Sequence, residues 1–251
     1  MTATEALLLL AVGALAGFLN VLSAGGSMLT LPVLMFMGLD AANANGTNRV
    51  SIVLQNITAV WRFRRAGHRY RGLAWLLSVP AVLGALLGAW GAVRVGDDLF
   101  RWVLILVMIG ATVIMLMPAP TQVRTLALAP AQLRWPVLAA MFVIGFYGGF
   151  IQVAVGILFI VLLHRVLAID LVQVNALKVT VVLIYMIPVL LIFAATGNVT
   201  WSYGLVLAAG SMAGAWIAVH VTLGPSGTIL VQRFTLAVIA AIIVKLLLDL
   251  S

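Results

Sequence analysis

The feature that most constrains this chain is a near-continuous series of apolar runs, separated only by short polar, Gly or Pro breaks. The runs cover approximately 5–22, 28–38, 42–61, 73–93, 99–117, 136–153, 157–167, 173–194, 201–220 and 229–248. A lipid-spanning helix takes about 20 apolar residues, so a chain of 251 residues has little left for any domain outside the bilayer. Composition agrees: 65% of residues are hydrophobic and 8% charged, where soluble domains average about 45–50% apolar and roughly 25% charged. All the runs are expected to be helices, because open strands cannot satisfy their backbone in lipid. The fold class is therefore all-α: a polytopic membrane helix bundle of eight to ten segments, short broken helices included. The N-terminal run has an acidic start and reads as a first membrane helix, not a cleaved signal peptide.

The net charge of +8 does not indicate nucleic acid. Arg62, Arg64, Arg65, Arg69 and Arg71 crowd one short loop between apolar runs, as cytoplasmic loops do under the positive-inside rule. The absence of cysteine excludes disulfides and thiolate metal sites. His68, His164 and His220 lie at predicted segment ends without metal-ligand spacing, and no G-x-x-x-x-G-K-[ST] phosphate loop exists. No cofactor is implied.

The chain reads as two copies of one unit, 1–117 and 136–251, joined by a linker at 118–135. Trp75, Gly84, Gly88, Ala89, Trp90, Ala92 and Val93 recur at identical spacing as Trp201, Gly210, Gly214, Ala215, Trp216, Ala218 and Val219. Asp40 and Asn45 match Asp170 and Asn175, which sets Gly26 on Gly156 and Asn48 on Lys178. Internal repeats are common in membrane transporters. The basic-residue distribution favours inverted over parallel copies only slightly. A better indication is 195–200, which replaces the basic loop yet carries no charge, as an external loop would.

The short segments 28–38 and 157–167 are half as long as a crossing requires, about 16 Å for 11 residues. Irregular backbone at membrane depth survives only where it is buried in protein or lines a wet cavity, so broken helices point to a transport site. On the next segment, positions 45, 48, 49, 52, 55 and 56 share one helical face, and Asn45, Asn48, Arg49, Gln55 and Asn56 make that face polar. Asn175, Lys178 and Tyr185 form the matching stripe in the second half. A cation within a membrane helix is costly and marks a functional candidate; the alternative is that Arg49 and Lys178 reach outward to the interface. Gly25, Gly26 and Ser27 precede the first short helix, where N–H groups can approach an anion or helices can pack tightly. Asn20 and Gln152 could donate amide hydrogen bonds there or bridge helices. Two cations among amides suit a small anionic substrate.

Other features read as structural. The Gly84 and Gly88 pair and its repeat allow close helix approach. Tryptophans near segment ends fit interface anchoring to the lipid bilayer, and Pro32, Pro80 and Pro188 are expected to kink or end helices. Asp40 and Asp170 fit N-caps, with proton or ion coupling as the other reading.

The combination of Ala24, Gly25, Gly26, Ser27 and Pro32, then Gly38-Leu39, then Ala44-Asn45-Gly46-Thr47-Asn48-Arg49 resembles the sulfite exporter TauE/SafE family, also called the toluene-sulfonate uptake permeases. In the second half the resemblance rests on Gly148-Gly149-Phe150-Ile151-Gln152, Asn175-Ala176-Leu177-Lys178 and Gly197-Asn198-Val199-Thr200-Trp201. It implies a permease of the bacterial cytoplasmic membrane that moves sulfur oxyanions such as sulfite, sulfonates and sulfoacetate. In this reading Gly25, Gly26 and Ser27, with Asn45, Asn48 and Arg49 from one half and Gln152, Asn175 and Lys178 from the other, form the anion pocket, and one repeat rocks against the other. The competing readings are an anion channel, an intramembrane enzyme acting on an anionic lipid, and a membrane scaffold; the enzyme would need a buried acid or base, and the acidic residues lie at segment ends.

Overall fold

The computed structural model describes residues 1–22, 26–116, 135–166 and 169–223. The expected last segment, 229–248, nearly all of the linker 118–135, and Gly25 lie outside the described residues. Every regular element among the described residues is helical. In chain order these are α1 (Ala3–Leu22), α2 (Ser27–Phe36), α3 (Ala41–Arg65), α4 (Arg71–Ala92), α5 (Asp97–Leu116), α6 (Trp135–Phe150), α7 (Val155–Phe159) continuing as a π-helical stretch (Ile160–Val166), α8 (Leu171–Ala195) and α9 (Trp201–Thr222). α1, α4, α8 and α9 are long and apolar enough to cross a membrane. α3 is as long as α8 but far less apolar, because it carries the amide stripe.

Local chemistry explains where the helices begin. Thr2 and Glu5 form a reciprocal capping box, with Thr2 N donating to Glu5 Oε2 and Glu5 N to Thr2 Oγ1. Asp40 Oδ1 accepts from Asn43 N at 2.8 Å, and Asp170 Oδ2 accepts from Val172 N and Gln173 N at 2.9 and 3.3 Å. Both aspartates are thus the N-caps that their positions suggest. Asp170→Ala should lower stability by about 1 kcal/mol, whereas Asp170→Asn, which retains a capping oxygen, should recover most of it; thermal unfolding of the purified protein compares the two. Pro32, Pro80 and Pro188 all lie inside helices and end none of them.

Glycine stripes decide which helices meet. A Cβ on Gly13 would sit 2.3 Å from the Leu207 carbonyl oxygen, and one on Gly17 would sit 2.1 Å from that of Ser211. On the facing helix, Gly210 meets Leu10 and Gly214 meets Ala14. α1 and α9 therefore run side by side in the same direction at backbone contact, the geometry small residues allow. α4 and α6 do the same, Gly84 and Gly88 against Phe142 and Phe146, and Gly145 and Gly149 against Ala81 and Ala85.

α3 lies at the centre, packed by α9, α8 and α2. Its polar face is buried, and so are Val50 and Val53 on the other side, leaving Ile57 exposed. α3 and α8 run antiparallel. Near the start of α3, Gly46 touches Phe193 and Asn198, while its end (Val60, Phe63) lies with the beginning of α8 (Ala176, Thr180). Trp75, Trp90, Trp201 and Trp216 are all exposed on the outside of the bundle.

Candidate functional site

Each of the two short helices follows a break, and a buried cation sits at each break. α6 stops at Phe150, which leaves its last carbonyls without intrahelical partners. Arg49, fully buried on α3, supplies them: Nη1 donates to the Gly148 carbonyl at 3.1 Å, and Nη2 to the carbonyls of Gly149 and Phe150 at 2.6 and 3.3 Å. Asn45, one turn earlier, accepts from Nη2 through Oδ1 (3.1 Å) and donates to the Phe150 carbonyl through Nδ2 (2.8 Å). The guanidinium also lies over the Phe193 ring, 4.4 Å from its centroid. A cation at the C-terminal end of a helix is favoured by the helix dipole, and here Arg49 points inward, not out to the interface.

Lys178 does the same at the other break. Its Nζ donates to the carbonyl of Val21, in the last turn of α1, and to Asn175 Oδ1, both at 2.9 Å. Each cation therefore caps a helix from the other end of the chain: α3 holds α6, and α8 holds α1. Among the described residues neither cation has a carboxylate partner.

The two sites differ in what remains free. Among the described residues Arg49 makes five polar contacts, and its Nε alone is buried without a partner. An ammonium has three donors; among the described residues Lys178 uses two of them, and it lines a small cavity of about 20 Å³, room for roughly one water. Asn20, Ser27, Gln55, Asn56, Gln152 and Gly156 line the same space. Among the described residues its lining includes no carboxylate and no histidine.

The predicted residues distribute as follows. Asn20, Ser27, Gln55, Gln152 and Lys178 meet at the cavity, with Asn175 attached through Lys178 and Tyr185 through its hydroxyl, which donates to Gln152 Oε1 at 2.8 Å. Asn20 donates to Gln55 Oε1 at 3.3 Å and accepts from Ser27 N at 3.2 Å, so the first N–H of α2 is taken up by protein. Gly26 serves close packing, since a Cβ there would lie 2.0 Å from the Ala16 carbonyl oxygen. Arg49, Asn45 and Asn48 are outside the cavity lining. Asn48 Oδ1 accepts from Thr30 at 2.7 Å, while its Nδ2 is buried without a partner among the described residues.

Gln152 reaches the cavity because the chain turns through left-handed backbone at Gln152 (φ 62°) and Ala154 (φ 56°). This conformation costs a non-glycine residue about 1–2 kcal/mol. The bond from Tyr185 and the one from the Tyr147 hydroxyl to the Val153 carbonyl hold it. Thr30, Tyr147 and the carbonyls of 148–150 were not singled out by residue type. The signal for the carbonyls was a helix ending in Gly148-Gly149-Phe150, two residues before Gln152, which leaves acceptors to be satisfied.

The family model for the sulfite exporter TauE/SafE matches residues 9–246. The chain belongs to the TauE/SafE family. Its relatives include the "Probable membrane transporter protein YfcA" of Escherichia coli (strain K12), 30% identical over 95% of this chain and 88% of that protein. The "Probable membrane transporter protein" of Haemophilus influenzae is 24% identical over 83% of this chain and 81% of its own length. A shorter match, 28% identical over 36% of this chain and 34% of the relative, is to the "Probable membrane transporter protein ORF9" of a Sinorhizobium species. No solved structure matches the chain significantly. As a TauE/SafE protein with several apolar spans, the chain is a multi-pass membrane transporter.

Proposed function

We propose that this transporter carries a small anion, of the sulfur oxyanion or organosulfonate class, across a bacterial cytoplasmic membrane by alternating access. The observation that carries the reading is the Lys178 cavity: a buried ammonium with one donor beyond its two bonds to described residues, ringed by amides and a serine hydroxyl, at the end of a broken helix. Asn20, Ser27, Gln55, Gln152 and Lys178 would contact the anion, with Asn175 and Tyr185 orienting them. Arg49, Asn45 and Asn48 would hold the surrounding backbone. The amides, serine hydroxyl and ammonium of the described lining suit the binding and passage of an anion.

The reading includes two inverted repeats. Supporting it are the antiparallel course of α3 and α8, and the matched parallel pairs α1 with α9 and α4 with α6. Each half thereby lends a helix to the other, and rocking of one half would open the cavity alternately to the two sides. The basic turn between α3 and α4 would face the cytoplasm.

The test is a thermal-shift screen of purified protein against sulfite, sulfate, thiosulfate, sulfonates and carboxylates. A true ligand at a hundredfold excess over its Kd should stabilise by about 2.7 kcal/mol. Lys178→Gln should weaken that ligand about ten- to 150-fold, the loss of one charge-assisted hydrogen bond, and should depress saturable flux in proteoliposomes alike. Stabilisation by no anion, or unchanged affinity in Lys178→Gln, would refute the site; single-channel currents would replace the carrier with a channel.

A further inference from the structure

A second cavity, about 110 Å³ and larger than the first, lies where the end of α3 and the start of α4 meet α8. Arg64, Arg69 and Arg71 line it, with His68 and Tyr70. Its floor is apolar: Val60, Phe63, Ala74, Ala176 and Leu183, ending at Trp75, which is 62% exposed on the outside of the bundle. Among the described residues the lining includes no carboxylate. The nearby Asp170 is engaged by the α8 N-cap N–H groups. Burial, then Asp170, raises the Tyr70 phenol above its ordinary value, and its hydroxyl pairs with His68 Nδ1 at 3.2 Å.

The same end of the molecule carries a marker of membrane depth. Trp61 and Trp216 stack at 5.4 Å between ring centroids, with Arg65 over the first and Arg62 over the second, each 4.1 Å from the ring. Exposed tryptophans with arginines on their faces belong at the headgroup level of a bilayer. A cavity at this level, with a cationic rim and an apolar wall open to the side, matches a molecule with an anionic head and a hydrocarbon tail lying in the leaflet.

We propose that the cavity between α3, α4 and α8 is a binding site for one anionic phospholipid, its phosphate held by Arg64, Arg69 and Arg71 and its chain laid along Trp75 and Leu183. The site stands independently of the anion taken by the Lys178 cavity. α8 supplies a wall to both, so an occupied lipid site would also brace the helix that presents Lys178.

The experiment uses the full chain in detergent. Phosphatidylglycerol, phosphatidylcholine, inorganic phosphate and sulfate are titrated separately, followed by thermal unfolding and by lipid retention in native mass spectrometry. Phosphatidylglycerol should raise the unfolding temperature and remain bound, and phosphatidylcholine should do neither. The double variant Arg69→Gln, Arg71→Gln should lose about thirtyfold in phosphatidylglycerol affinity. Arg94→Gln, at the far end of α4, should lose nothing. If the double variant folds poorly, Arg71→Glu alone must show the loss. Equal binding of phosphatidylcholine, equal stabilisation by phosphate or sulfate without lipid, or undiminished affinity in the arginine variants would each overturn the proposal; the soluble-anion result would make the cavity an entry site for free oxyanions.

Discussion

Arg49→Met should cost about 2–6 kcal/mol of stability. The substitution keeps much of the side-chain bulk and leaves the carbonyls of Gly148 and Gly149 without the donor they have now; the Phe150 carbonyl keeps Asn45. Each buried acceptor stripped of its partner costs about 1–3 kcal/mol, and two are affected. The damage should spread beyond α6. The backbone at 148–150 leads directly into the left-handed turn that presents Gln152, and a Cβ on Gly148 would fall within 3 Å of both the Tyr185 hydroxyl and Gln152 Oε1. Thermal unfolding of purified variants should therefore rank Arg49→Met well below Lys178→Gln, while ligand affinity falls in both. Full stability in Arg49→Met would mean that the α6 carbonyls have other donors, and the capping role of Arg49 would be lost.

The pair Gly13→Val, Gly17→Val should be about as damaging. New Cβ atoms at these positions would meet backbone carbonyl oxygens of α9 at 2.3 and 2.1 Å, well inside any tolerable contact, and a neighbouring backbone cannot swing aside as a side chain can. Overpacking costs about 1–3 kcal/mol per site, so about 2–6 kcal/mol in all, with α1 forced away from α9. Because Lys178 is bonded to the Val21 carbonyl at the end of α1, the same change should also disturb the anion cavity. Gly110→Val is the control: it lies on an exposed face of α5, with nothing within 4 Å of an added Cβ. If the double variant unfolds and binds anions as the Gly110→Val protein does, close α1–α9 packing is not a condition of the fold.

Much of the architecture was readable before any coordinates, because in lipid the rules are few. Apolar runs must be helices, Asp before a run caps it, and glycines four apart mark contact. Asp40, Asp170, Gly84, Gly88, Gly210 and Gly214 all behave in this way. The amide stripe on α3 was readable as well, from its 3.6-residue period. Its surroundings were not: a stripe says which residues share a face, while the burial of Val50 and Val53 on the opposite side depends on how many helices arrive around α3.

The candidate site divides along the same line. Residue types and the broken helices marked Asn20, Ser27, Gln55, Gln152, Asn175, Lys178 and Arg49 as unusual for a bilayer interior, since buried polar groups there need partners. Sequence by itself marked these groups as candidates and the chain as a TauE/SafE membrane transporter, while leaving open whether Arg49 and Lys178 turn inward or reach out to the interface. Only the tertiary structure decided which group meets which. Lys178 bonds a carbonyl 157 positions away and Arg49 reaches carbonyls 99 to 101 positions away. Such a backbone acceptor has no residue type to betray it. That both cations cap helix ends, and that Lys178 also lines a cavity, follows from where two helices stop, and helix packing sets that.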